Sequence, residues 1–160
     1  MDNLITILMG DDELGAVIRS HLLIESKIIH LINLLIPHPK YLENLRLGYR
    51  QRVDLALALG LKKVYGPPLR KFGSIRNQFA HQPKTQLTTK TIDHFFGTFD
   101  KEDQQIIIRS FERTMMTSGA SATKSFGELE PKDRFIMITV TLHAILTTAA
   151  VEIEENQDSL

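Results

Sequence analysis

The chain has 160 residues, of which 42% are hydrophobic and 24% are charged, values typical of one globular domain with a hydrophobic core. It contains no cysteine, so disulfide bonds, cysteine-ligated zinc and a cysteine nucleophile are excluded. The formal net charge is zero, but the charges are unevenly distributed along the chain.

The first predicted helix runs from near Asp12 to Ile36, where a Pro-His-Pro sequence ends it. Apolar residues at helical spacing predict its core-facing stripe, which comprises Leu14, Ile18, Leu22, Ile29, Ile32 and Ile36. Glu25 falls on this stripe, and it needs a partner because an unpaired buried charge costs several kcal/mol. Arg76, which has apolar neighbours on its own helix, is the predicted partner in a buried ion pair.

The next two helices are predicted from their ends and their apolar spacing. The second covers about Leu47 to Leu59, and Gly60 follows it as a C-terminal cap. The third begins near Pro67-Pro68, and Gly73 within it predicts the close approach of another helix. Its predicted core face comprises Leu69, Phe72, Ile75 and Phe79.

The sequence pattern of the C-terminal half predicts two more helices. Residues 85–99 are predicted to be a connection with one short turn at Phe95 and Phe96. Asp100 then caps a helix that ends at about Met116. A small and polar loop covers residues 117–127, and the last helix covers about residues 131–155. We therefore predict an all-α bundle of about five helices.

The chain shows neither a secretory signal pattern nor an uninterrupted apolar stretch. We therefore expect a cytoplasmic protein that does not bind membranes. One helical domain should cover residues 1–160, with its core at about residues 12–155.

One segment of the third helix combines three side chains that suit the chemistry of anions. The run Ile75-Arg76-Asn77-Gln78-Phe79-Ala80-His81 sets a guanidinium, a carboxamide and an imidazole close together, and Pro83 then limits the helix. Arginine is a permanent cation, histidine exchanges a proton near neutral pH, and asparagine both donates and accepts hydrogen bonds. The trio therefore suits a phosphodiester or another anion. The alternative is structural, with Arg76 in an ion pair and His81 at a helix C-terminus, where a cation is favoured.

The middle of the chain is strongly basic. Residues 40–90 contain eleven basic and two acidic residues, a net charge of +9, whereas residues 1–39 carry −3 and residues 91–160 carry −6. This segment can form a surface for an anionic partner, or it can be neutralised by the other two segments in the fold. Its candidate anion-binding residues are Arg50, Arg52, Lys62, Lys63, Arg70 and Lys71.

Other catalytic patterns are not evident in the sequence. The histidines show no metal-ligand spacing, and His21 with Glu25 at positions i and i+4 offers only two ligands, so we predict no metal site. There is no glycine-rich phosphate loop, nucleophile elbow or helix-turn-helix. We therefore predict no cofactor.

Two blocks of the sequence resemble the mannitol operon repressor (MtlR) family. The first is Arg-Gln-Arg-Val-Asp-Leu-Ala-Leu-Ala-Leu-Gly-Leu at residues 50–61, and the second is the block at residues 75–81. The long first helix with Glu25 in its middle also resembles that family, which is similar in turn to the HEPN superfamily of helical domains. The resemblance covers most of residues 14–83, and the C-terminal half only by its helical pattern.

The resemblance implies an all-helical bundle, often dimeric, and two competing functions. MtlR-like proteins are regulators of sugar-alcohol uptake genes. HEPN ribonucleases use an Arg, a polar residue directly after it, and a His beyond a spacer of four to six residues. Arg76, Asn77 and His81 match this pattern with a spacer of four. Many non-catalytic relatives have the same pattern, in which these residues could hold neighbouring helices together. A Glu25–Arg76 pair would favour that structural role.

We expect a regulatory domain, resembling MtlR and homodimeric, that modulates transcription of a sugar-alcohol or related uptake operon through a protein partner. Its binding to nucleic acid is expected to be weak and non-specific. The alternative is a metal-independent endoribonuclease with a toxin or defence function. In that mechanism His81 would act as general acid or base, Arg76 would stabilise the phosphorane charge, and Asn77 would orient the phosphate.

Overall fold

The computed structural model describes residues 2–42, 44–82, 84–117 and 124–158. Within these ranges the chain is all helical, with seven α-helices and no strand. The helices are α1 (Asp2–Gly10), α2 (Glu13–Leu35), α3 (Tyr49–Ala58), α4 (Gly66–His81), α5 (Thr89–Phe96), α6 (Lys101–Thr117) and α7 (Pro131–Asp158). Short 3₁₀ turns form at Pro39–Leu42, Lys63–Tyr65 and Phe126–Glu128.

The two longest helices, α2 and α7, pack against each other at the centre of the bundle. α3 and α4 contact α2, α5 and α6 contact α7, and α1 contacts both central helices. An aromatic cluster fills the space where α4, α5 and α7 meet. The ring of Phe72 stacks on that of Phe135 with centroids 5.9 Å apart, and Phe95 contacts both rings. All three side chains are buried, so this cluster ties the three helices together.

Capping residues set the starts of α2 and α6 as predicted. The Asp12 carboxylate accepts a hydrogen bond from the backbone N–H of Gly15 at 2.6 Å. The Asp100 carboxylate accepts one from the backbone N–H of Asp103 at 2.8 Å. Each bond satisfies a donor that has no partner within its own helix.

Two glycines shape the α3–α4 pair, and both predictions are confirmed. Gly60 ends α3 with a φ of 118°, in the left-handed region, and the Leu61 N–H then bonds back to the Ala56 carbonyl. On α4, a Cβ at Gly73 would lie 2.6 Å from a ring carbon of Tyr49 on α3. The absence of a side chain at this position is therefore what allows α3 to approach α4 so closely.

The described residues contain two helices that the sequence patterns do not predict, so the expected number of about five is corrected to seven. α1 lies before the predicted core and buries Ile5 and Leu8. α5 occupies part of the predicted connection at 85–99, and Thr88 caps it. With nine and eight residues, both helices are too short to show a sustained apolar period. The predicted loop at 117–127 falls largely outside the described residues.

The buried face of α2 differs from the predicted stripe. Leu14 and Leu22 are 47% and 61% exposed. The side chains that enter the core are Ala16, Val17, Ser20, His21, Ile24, Ile28, Leu31 and Ile32. α2 has apolar residues on more than one side, so the apolar pattern alone does not identify its buried face. That face also includes a serine and a histidine, which a search for apolar residues omits. Glu25 consequently lies at the edge of the core, with its side chain 19% exposed.

Among the described helices, α7 has the length and composition that a membrane crossing requires, over Pro131–Glu155 with a mean hydropathy of 1.8. Half of its most apolar window is buried inside the bundle, and the central helix of a globular protein has the same properties. The Thr141 hydroxyl donates to the Met137 carbonyl at 2.9 Å, so this threonine is accommodated within the helix. With α2, α7 is therefore one of the two central helices of the bundle.

Candidate functional site

α4 divides its side chains into two faces. The inward face is apolar and buried, as predicted, and comprises Leu69, Phe72, Ile75 and Phe79. The outward face is polar and exposed, and comprises Arg70, Ser74, Asn77 and His81 at the same helical spacing. Arg76 lies between the two faces and is half-buried. The predicted Arg-Asn-His trio is therefore brought to one side of the helix.

The polar face of α4 forms one wall of an open groove of about 710 Å³, which we call the arginine groove. Its lining residues are Gly48, Tyr49, Arg50, Arg70, Gly73, Ser74, Arg76, Asn77, Gln78, His81 and Gln82. Three of them are arginines, one is a histidine, and none is an aspartate or a glutamate. An anion that enters the groove therefore meets permanent positive charge and no carboxylate among these lining residues.

The amino end of α3 forms the opposite wall of the arginine groove. Gly48 precedes the first turn of α3, and Tyr49 and Arg50 begin it. The amino end of a helix carries unpaired N–H groups and a partial positive charge from the helix dipole. Both contributions favour an anion at this wall.

The predicted ion pair between Glu25 and Arg76 is wrong. Glu25 Oε1 accepts a hydrogen bond from Arg52 Nη1 at 2.6 Å, and Glu25 Oε2 lies 3.7 Å from His21 Nδ1. Arg76 forms no ion pair with a described residue, and its buried Nε has no hydrogen-bond partner there. Both α3 and α4 pack against α2, and it is Arg52 of α3 that reaches Glu25. No described carboxylate therefore neutralises the charge of Arg76, and this charge is available to an anion in the arginine groove.

A polar cluster lies close to Arg76 at this groove. The buried ring of His21 lies 4.7 Å from that of Tyr49, whose hydroxyl donates to the Leu69 carbonyl at 3.0 Å. Burial and then the charge of Arg76 lower the pKa of His21, whereas burial raises the pKa of Tyr49. Both side chains are therefore neutral near pH 7. Because Arg52 already compensates Glu25, the uncompensated charge in this cluster is that of Arg76.

The six predicted anion-binding residues do not all line one groove. They are Arg50, Arg52, Lys62, Lys63, Arg70 and Lys71. Arg50 and Arg70 line the arginine groove, and Arg70 also donates to an oxygen of Asp54 at 2.7 Å. Arg52 is held by its ion pair with Glu25, and Lys62 lines a different groove, among carboxylates. The other two lysines line neither groove.

The sequence patterns miss part of the arginine groove. Tyr49, Ser74 and Gln78 all line it. Ser74 and Gln78 lie four residues apart on α4, so helical spacing outward from the apolar stripe was an available signal for them. No local pattern places Tyr49 there, because it belongs to another helix. Pro83, which is predicted to limit α4, lies outside the described residues.

The geometry of one copy supports the binding of an anion better than proton transfer. Cleavage of RNA through the ribose 2′-hydroxyl uses both a general base and a general acid. His81 is the only histidine among the described residues that line the groove, and burial raises the pKa of Tyr49. No three His, Asp or Glu side chains in the described part of the chain lie close enough to hold a metal ion.

Comparison of the chain with known proteins gives no match to a family model, to a curated protein or to a solved structure.

Proposed function

We propose that this chain is a cytoplasmic regulatory protein, similar to MtlR, that modulates transcription of a sugar-alcohol or related uptake operon through a protein partner. The observation that carries the proposal is the arginine groove, whose lining has three arginines and no carboxylate. An acidic segment of the partner would lie between the amino end of α3 and the polar face of α4. The whole groove falls within residues 14–83, the part of the chain that resembles MtlR.

The position of the polar face of α4 supports indirect action on transcription. A recognition helix must enter the major groove of DNA with its exposed side chains. The polar residues of α4 line a groove whose lining also includes the amino end of α3, so α3 lies beside the face of α4 that would have to enter the DNA. The partner, and not this chain, would then supply the contacts with the operator.

The first prediction tests the arginine groove in cells that carry a reporter for the regulated operon. Arg50→Glu combined with Arg70→Glu should abolish most of the regulation, because like charges placed against an acidic partner cost several kcal/mol. Lys63→Glu combined with Lys84→Glu is the matched control. It makes the same change in net charge at two exposed residues outside the groove, and it should regulate like the parent. Equal regulation by both double variants would overturn the proposal.

The second prediction concerns duplex DNA. The arginine groove offers three permanent cations, so the logarithmic salt slope of binding should be about −2 to −3. We also expect equal affinity for a promoter duplex and for a scrambled one, because α3 lies beside the polar face of α4 and would hinder its entry into the major groove. A gel-shift titration at two salt concentrations measures both quantities. A preference for the promoter that persists near physiological salt would mean direct operator recognition and would contradict indirect action.

A second candidate function is a metal-independent endoribonuclease. It is favoured by the observation that Arg76 forms no ion pair with a described residue. A Glu25–Arg76 pair would have neutralised the cation that a phosphorane needs, and Glu25 pairs with Arg52 instead. Arg76, Asn77 and His81 also line the same groove. Because one groove supplies one histidine, the second proton-transfer group would come from His81 of a second copy of the chain.

The third prediction separates the nuclease from the regulator. A nuclease should cleave single-stranded RNA in the presence of EDTA and leave a cyclic phosphate. His81→Ala should then reduce the rate by about 10²- to 10⁴-fold, the usual contribution of a general acid or base. His94→Ala, at an exposed histidine outside the groove, should keep the parent rate. We expect no cleavage by the parent protein, and metal-free cleavage that His81→Ala abolishes would reverse the order of the two candidates.

A further inference from the structure

A second groove, of about 520 Å³, lies between α6, α7 and the 3₁₀ turn at Lys63–Tyr65, and we call it the acidic groove. Its lining residues are Lys62, Val64, Tyr65, Asp100, Glu102, Asp103, Ile106, Ser110, Thr141, Ala144, Ile145, Thr148, Ala149 and Glu152. Four of these residues carry carboxylates and one carries an ammonium group. The acidic groove shares no residue with the arginine groove, so its function can be tested separately.

Asp103 is the unusual member of the acidic groove. It is only 6% exposed, and its carboxylate makes no hydrogen bond or ion pair with a described residue. Burial, and then the neighbouring carboxylates of Asp100 and Glu102, raise the pKa of Asp103. A buried carboxylate without a partner is costly. The Lys62 ammonium group shifts this pKa in the opposite direction but makes no hydrogen bond or ion pair with Asp103, so the groove contains a largely buried carboxylate that can accept a cationic group.

The amino end of α6 explains only why acidic residues are tolerated there. Carboxylates in the first turn interact favourably with the helix dipole, and Asp100 also caps the helix through the Asp103 N–H. That bond uses the backbone of Asp103 and leaves its side-chain oxygens unpaired.

The acidic groove has two chemically different ends. Burial, and then the charges of Asp103, Asp100, Glu152 and Glu102, raise the pKa of Tyr65, so all four carboxylates of the groove lie within electrostatic range of this side chain. From this end α6 continues past Ile106 to Ser110. Apart from Glu152, the groove wall on α7 consists of alanine, isoleucine and threonine residues. A complementary ligand therefore has a positive head and an apolar body.

We infer that the acidic groove binds a small amphipathic organic cation, with an ammonium or guanidinium head at Asp103 and an apolar body between α6 and α7. The volume of the groove lies within the usual range for small-molecule sites. A metal ion fits less well, because no three acidic or histidine side chains in the described ranges converge closely enough to ligate one. The inference does not rest on the function proposed for the arginine groove.

Titration of the ¹⁵N-labelled protein with hexylammonium chloride, followed by amide chemical shifts, tests this inference. We expect shifts concentrated at the lining of the acidic groove. Asp103→Asn should weaken binding about tenfold or more, because a hydrogen bond to a charged group contributes at least that factor. Glu112→Gln, which removes the same charge from an exposed position of α6 outside this groove, should stay within about twofold of the parent. Hexanol, the neutral analogue, should bind about tenfold more weakly than hexylammonium.

Several outcomes would overturn the inference. The first is an equal loss of hexylammonium affinity in Asp103→Asn and Glu112→Gln. The second is an affinity for hexanol equal to that for hexylammonium. The third is a set of amide shifts spread over all the acidic surface of the protein. Asp103→Asn should fold at least as well as the parent, since it removes an unpaired buried charge. If it does not fold, Glu152→Gln takes its place, and unchanged hexylammonium affinity in that variant would equally reject the site.

Discussion

Replacement of Phe72 by alanine should lower the free energy of unfolding by about 3–5 kcal/mol. Phe72 is 1% exposed, and its ring contacts those of His21, Phe95 and Phe135 on three different helices. Removal of the ring loses the burial of its apolar area and leaves a cavity that these rigid neighbours fill only in part. For a domain whose total stability is about 5–15 kcal/mol, this is a large fraction. Urea unfolding measures it as a shift in midpoint.

Tyr41→Ala is the matched control for Phe72→Ala. Tyr41 is also aromatic, but it is 70% exposed and lies outside the helical core. Its loss should change stability by about 0.5 kcal/mol or less. A cost below about 1 kcal/mol for Phe72→Ala would mean that the aromatic cluster does not hold α4, α5 and α7 together.

Arg52→Ala should cost about 2–3 kcal/mol, whereas Arg76→Ala should cost about 1 kcal/mol or less. Arg52 compensates Glu25 in a pair whose side chains are 28% and 19% exposed, so its removal leaves a largely buried carboxylate unpaired. This expected cost is smaller than the cost of breaking a fully buried ion pair, because water still reaches both side chains. Arg76 compensates no carboxylate among the described residues, so its removal loses only the packing of its stem.

Arg70→Ala provides the control for the loss of a surface arginine. Arg70 pairs with Asp54, and both side chains are 48% exposed, so this pair should contribute about 1 kcal/mol or less. Glu25→Gln in the Arg52→Ala background should recover part of the lost stability, since it removes the unpaired charge. A larger cost for Arg76→Ala than for Arg52→Ala would restore the Glu25–Arg76 pair that the sequence predicts and would weaken the case for a free cation in the arginine groove.

Features that depend on a few neighbouring residues are predictable from the amino-acid sequence. Asp12 and Asp100 identify helix starts, because a cap bonds to an N–H only three residues away. Gly60 identifies the end of α3, since a left-handed residue is needed there. The apolar stripe of α4 was also readable, because its spacing is that of one helical face. These signals were sufficient for the all-α class and for most of the long helices.

The contacts between side chains of different helices depend on how the helices pack in three dimensions. Glu25 pairs with Arg52 and not with Arg76, because the choice depends on how α3 and α4 pack against α2. The same packing places the amino end of α3 opposite the polar face of α4 and so forms the arginine groove. It also leaves Leu22 exposed and buries Asp103 at the acidic groove, although hydropathy predicts the opposite for each. Burial and pairing depend on three-dimensional distance, and residues far apart in the chain leave no periodic signal of their contact.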